Sequence, residues 1–87
     1  MMYLNKAMEN LKDSLSDIGT NLTRLRLKDG YKSYETFAIE HGFSRMQYWR
    51  IEKGKTNITV KSLMNILSVY DIRLTDFFCK DFLQKPK

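Results

Sequence analysis

Eighty-seven residues make one domain, with a core just large enough to stand without disulfides or a structural metal. A hydrophobic fraction of 43% is that of a globular chain rather than a disordered one, and the formal charge of +5 makes the protein basic. The single cysteine, Cys79, excludes an internal disulfide, no apolar run approaches the roughly 18 residues that span a bilayer, and the start, MMYLNKAMENLKD, lacks the apolar stretch of a signal peptide; a cytoplasmic protein, neither secreted nor membrane-inserted, is the expectation.

In chain order, apolar residues first recur at Leu4, Met8, Leu11, Leu15, Ile18, Leu22 and Leu25, alternately four and three apart, which predicts a helix with a heptad-spaced stripe. Gly19 lies inside it and costs about 1 kcal/mol relative to alanine. Ser14, Ser16 or Asp17 could therefore cap a fresh helix near Ile18, and one long helix or two abutting ones both fit. Asp29-Gly30 ends this element, since glycine accepts the left-handed conformation that closes a helix. Ser33 is the expected cap of a helix from about Tyr34 to His41, with Glu35 in its first turn and Phe37 and Ala38 inward. Gly42 breaks that helix, Phe43 plugs the turn, and Ser44 with Gln47 forms a capping box that starts a third helix, closed by Gly54. Thr59 caps a fourth, with Val60, Leu63, Leu67 and Tyr70 on one face, and a fifth begins near Leu74 with Phe77, Phe78 and Phe82. No segment alternates with period two, so the fold class is all-α.

The charge is local. Residues 1–43 carry six basic and six acidic side chains, whereas residues 44–61 carry Arg45, Arg50, Lys53, Lys55 and Lys61 against Glu52 alone. A basic patch on one helix and the loop after it is the footprint expected of a surface for a polyanion. Turning about 100° per residue from Arg45 sets Tyr48 at about 300° and Ile51 at about 240°, which points the core side toward about 270°. Trp49 at about 40°, Lys53 at about 80°, Met46 at about 100° and Arg50 at about 140° then face solvent. Apolar groups among cations suggest recognition rather than simple solvation. In a DNA major groove, an arginine matches the two acceptors of guanine and an apolar group meets the thymine methyl. Recognition helices read bases mainly from their N-terminal end. Arg45, Met46, Gln47, Trp49 and Arg50 are the candidate base-reading residues. Ser33, Tyr34, Ser44, Lys53, Lys55, Thr56 and Asn57 are the candidate contacts to the DNA backbone.

Ile18 to Phe78 resembles the Cro/CI-type, or XRE, family of helix-turn-helix repressors, through IGTNLTRLR, SYETFA, HGFSRMQYWRIEKGKTN and LMNILSVYDIRLTDFF. Ser33, Glu35, Ala38, Gly42, Ser44, Ile51, Glu52 and Gly54 match at their relative spacings. The resemblance implies a five-helix, phage-repressor-like domain whose second and third helices bind DNA, and an ion pair between Arg26 on the first helix and Glu52 on the third. It divides the chain into an N-terminal helical extension at 1–16, a DNA-binding domain at 17–84 and a tail at 85–87. The chain departs from the family at Tyr34, where glutamine is usual, at His41 in place of an apolar residue, at Tyr48 in place of a small aliphatic, and at Trp49 in place of a small polar residue. A target sequence is therefore not transferable.

One histidine and one cysteine, no glycine-rich phosphate loop and no paired carboxylates leave no candidate for catalysis, a metal or a cofactor; the chain is read as no enzyme. His41 is expected to be partly packed, and Cys79 to be a small hydrophobe among phenylalanines. Leu4, Met8, Leu11 and Leu15 exceed what the core needs, and either fold back on the fifth helix or form a contact with a second copy or a protein partner. The leading expectation is a sequence-specific regulator of transcription, repressor-like, binding double-stranded DNA as a homodimer at half-sites about 34 Å apart. The alternative is an interaction adaptor, or the antitoxin of a toxin pair, working through the Leu4 to Leu15 stripe and the Phe77 to Leu83 segment.

Overall fold

A computed structural model describes the backbone of residues 2–78 and the side chains of residues 10–78. Among them the chain is all helical, with α1 at Met2–Lys28, α2 at Tyr34–Glu40, α3 at Arg45–Glu52, α4 at Val60–Ser68 and α5 at Leu74–Phe77. The chain falls into two units, residues 1–57 holding α1 to α3 and residues 58–87 holding α4 and α5. No helix among the described residues is long and apolar enough to cross a membrane.

In the first unit, α1 is one unbroken helix, running through Gly19 and across the junction between residues 16 and 17. The reason glycine sits there is spatial. A methyl on Gly19 would overlap the carbonyl oxygen of Glu52 and lie 2.7 Å from that of Ile51, so α1 and α3 cross in direct backbone contact at this point. Burial along the α1 stripe peaks just past this crossing: Leu11 is exposed, Leu15 and Ile18 are half-buried, Leu22 is fully buried and Leu25 is half-buried again. The side chains of Leu4 and Met8 lie outside the described residues.

The core of this unit is aromatic. Phe37 of α2 packs its ring 5.0 Å from Tyr48 of α3, 5.3 Å from Tyr31 and 4.7 Å from His41, while Phe43 lies nearly parallel to Tyr48 at 6.3 Å. Phe37, Ala38 and Tyr48 are buried and His41 is half-buried. Burying large rings of this kind is the main favourable term of folding, about 25 cal/mol for each Å² of apolar surface removed from water.

In the second unit, Thr59 Oγ1 accepts a 3.0 Å bond from the Ser62 amide and so caps α4. Leu63, Ile66 and Leu67 form its buried face, with Tyr70 half-buried. The sequence stripe placed Val60 on that face, but Val60 is 61% exposed and Ile66 takes its place. Val60 is the first residue of α4, about 70° from the centre of the buried arc, with no preceding turn to cover it. The last turn closes at Asp71, a non-glycine residue with φ of 58°, through bonds from Asp71 N–H to Ser68 O and from Ile72 N–H to Leu67 O. α5 ends at Phe77, which is buried, so Phe78, expected on this helix, stands just past it and is exposed; Cys79, Phe82 and Leu83 lie outside the described residues.

Candidate nucleic-acid interface

All the candidate contact residues from Ser33 to Asn57 fall in the first unit, on α2, α3 and the segments that flank them. The connection between the two helices is residues 41–44. Gly42, at φ of 77°, and Phe43 close α2 with two bonds, Gly42 N–H to Ile39 O at 3.3 Å and Phe43 N–H to Ala38 O at 2.8 Å. This paired closure needs a left-handed residue at its turning point and turns the chain within one residue. Ser44 then accepts the Gln47 amide at 3.4 Å and starts α3. Only the serine half of the expected capping box forms, since no bond returns from the Gln47 side chain.

Three anchors hold α3 from inside. Tyr48 sits in the aromatic core at 1% exposure, and the Gly19 crossing brings α1 against the last turn. The third is electrostatic: Arg26 Nε donates to Glu52 Oε2 at 2.7 Å and Nη2 to Oε1 at 3.2 Å, with Nη1 donating to the Tyr31 carbonyl at 2.8 Å. The side chains are 8% and 4% exposed, so a two-toothed guanidinium–carboxylate pair is buried at the end of α3. The residues that link α1 to the start of α2 hang from the same arginine.

The outward side of α3 carries Met46, Gln47 and Arg50, with Arg45 at its N-terminal end and Lys53 just past its C-terminal end, all exposed. Met46 is 63% exposed. Trp49 is different: it is half-buried rather than on the solvent side. The reason is rotation. The buried residues of α3 are Tyr48 and Glu52, which centre the inner side at about 320° rather than at the value of about 270° inferred from Tyr48 and Ile51. Glu52 is polar, so an apolar stripe does not reveal it as an inward residue. The shift of about 50° carries Trp49 to the flank of the outer surface.

Around this surface, Ser33 accepts the amides of Glu35 at 3.1 Å and Thr36 at 3.3 Å. Capping occupies the acceptor side of both Ser33 and Ser44, which leaves each hydroxyl its proton to donate outward. Tyr34 and Thr56 are half-buried, and Lys55 and Asn57 are exposed. The Lys55 amide bonds the Arg50 carbonyl at 2.8 Å, which fixes the loop to the end of α3.

Two polar links here have no sequence signature. Arg45 Nη1 stands 3.6 Å from Glu35 Oε2 across the α2–α3 turn, both side chains being more than half exposed. Tyr31 donates from its hydroxyl to Glu40 Oε1 at 2.7 Å, and that bond, with lesser help from desolvation and the nearby carboxylate charge, raises its pKa above the ordinary value near 10. Both links span a turn or a connecting segment and depend on its geometry, so spacing in the chain does not announce them. Among the described residues, no three His, Cys, Asp or Glu side chains gather as they would around a metal ion. Compared with family models, curated proteins and solved structures, the chain matches none.

Proposed function

We propose that the protein is a sequence-specific, double-stranded DNA-binding regulator of transcription, acting in the cytoplasm as a homodimer and by occupancy rather than chemistry. The observation that supports this reading best is the contrast between the two sides of α3. Its inner side is anchored by Tyr48, the Arg26–Glu52 pair and the Gly19 crossing, while its outer side and N-terminal end present Arg45, Met46, Gln47, Arg50 and Lys53 to solvent. A helix held rigidly from behind, with arginines, an amide and an exposed thioether in front, meets the chemical needs of a major-groove reader.

Arg45 and Arg50 suit guanine edges, Gln47 an adenine edge and Met46 a thymine methyl. Trp49, on the flank, is better placed against sugar or groove wall than against bases. Tyr34, Ser33 and Ser44 on one side and Lys53, Lys55, Thr56 and Asn57 on the other form the backbone contacts. On α1, Leu11 is exposed and accessible to a second copy of the chain. The test is selection of bound duplexes from a random pool at two salt concentrations. The expected result is an enriched motif with two half-sites about 34 Å apart or a multiple of it. Recovery of no motif at either salt concentration overturns the reading.

A further inference from the structure

The Arg45–Glu35 pair places an acid beside the first residue of the proposed reading helix. Resting on the DNA reading above, we infer that Glu35 is a specificity-determining residue: it penalises phosphate at Arg45 while leaving the guanidinium open to a neutral base edge. The geometry carries the distinction. Ser33 caps the backbone of Glu35 at 3.1 Å, so the carboxylate springs from a fixed point in the first turn of α2, and it reaches Arg45 Nη1 at 3.6 Å. Arginine has five donors in a rigid fork, and an ion pair at one nitrogen leaves the others available.

The two kinds of DNA acceptor then fare differently. A phosphate that takes Arg45 brings a negative charge against the Glu35 carboxylate, and either repels it or displaces it, exchanging one anion for another. Guanine presents O6 and N7, which are uncharged acceptors, and so meets no such repulsion. Glu35 thus lowers affinity for DNA of arbitrary sequence, where phosphate contacts dominate, and preserves affinity for the correct site.

A double-mutant cycle tests this on the full chain, with binding to a selected duplex and to a random duplex measured across a potassium chloride series for wild type, E35Q, R45Q and the double variant. The expected result for E35Q is several-fold tighter binding to random duplex with a salt slope steeper by about one, one more phosphate being engaged. Affinity for the selected duplex stays within about twofold, so discrimination falls. In the R45Q background, the same substitution leaves the slope unchanged. Equal strengthening on both duplexes, or an effect that persists undiminished without Arg45, overturns the inference, because Glu35 is then a plain background charge. A wild type that discriminates between the duplexes while E35Q matches it in slope and ratio overturns this inference alone. A wild type that binds no duplex overturns the DNA reading and this inference with it.

Discussion

Two glycines in the first unit are required for opposite reasons, and substitution separates them. Gly42 has φ of 77° with nothing within 4 Å of where a Cβ would stand, so Gly42→Ala meets strain in the backbone and no collision. A loss of about 1 kcal/mol is expected, the ordinary cost of a left-handed alanine. Gly19 is in ordinary helix, where alanine gains about 1 kcal/mol in propensity. Its methyl would overlap a main-chain carbonyl, which cannot swing aside as a side chain can. Gly19→Ala is therefore expected to lose about 2 kcal/mol net, since over-packing commonly costs about 1–3 kcal/mol and backbone contact sits at the upper end. Urea unfolding of the two variants checks both values and their order.

Arg26 and Glu52 offer a second comparison at this scale. Removing either partner alone leaves a charge buried at the end of α3, with an expected loss of about 3–5 kcal/mol. Replacing both by apolar residues of similar size removes the stranded charge, and the double variant R26M/E52L is expected to recover more than half of that loss. The remainder reflects the Tyr31 carbonyl, which loses its Arg26 donor in every Arg26 variant. Chemical denaturation of the two single variants and the double one reads this directly; a double variant no more stable than the worse single one contradicts it.

At the scale of elements, the link between α1 and α2 is pinned by Tyr31, through its ring against Phe37 and His41 and its hydroxyl on Glu40. The hydroxyl bond exists only with the phenol protonated. Because the folded-state pKa is raised, its contribution is fully present below the unfolded value near 10 and is lost as pH rises through the higher folded value. The stability difference between wild type and Tyr31→Phe, which keeps the ring packing, should be constant through neutral pH and shrink in strongly alkaline buffer. Thermal unfolding across that pH range measures it.

The helices themselves were legible because their signals are local. Ser33, Ser44 and Thr59 cap where short polar residues precede apolar runs, and Gly30, Gly42 and Gly54 stand just past three helix ends. The rotation of α3 was not legible in its apolar spacing, although the family resemblance implied the ion pair that sets it. It depends on Glu52 being drawn inward by Arg26, a partner 26 residues earlier in the chain, and that displaces Trp49 from the place its apolar neighbours assign it.

At the scale of the whole molecule, the DNA reading makes a graded prediction. Arg45→Ala and Arg50→Ala should each weaken binding by about 1–3 kcal/mol and relax preference at one base position, as loss of a bidentate base contact does. Lys53→Ala and Lys55→Ala should instead weaken all duplexes alike and reduce the salt slope by about one each. Titrations against selected and random duplexes distinguish the two classes. Identical behaviour of all four variants means that the basic patch holds DNA without reading it.

Composition, charge clustering and helical periodicity were enough to determine an all-α chain, the starts of α2 to α5, and the position of the basic patch on the third. These follow from near neighbours, through capping, turn conformation and a stripe repeating every three or four residues. Tertiary structure alone decided the rest: that α1 passes unbroken through Gly19, which way α3 is turned, that Trp49 is half-buried, and that Glu35 stands against Arg45. Each depends on where two elements meet in space, and contact across a helix crossing or a tight turn leaves no periodic trace in either element's own sequence.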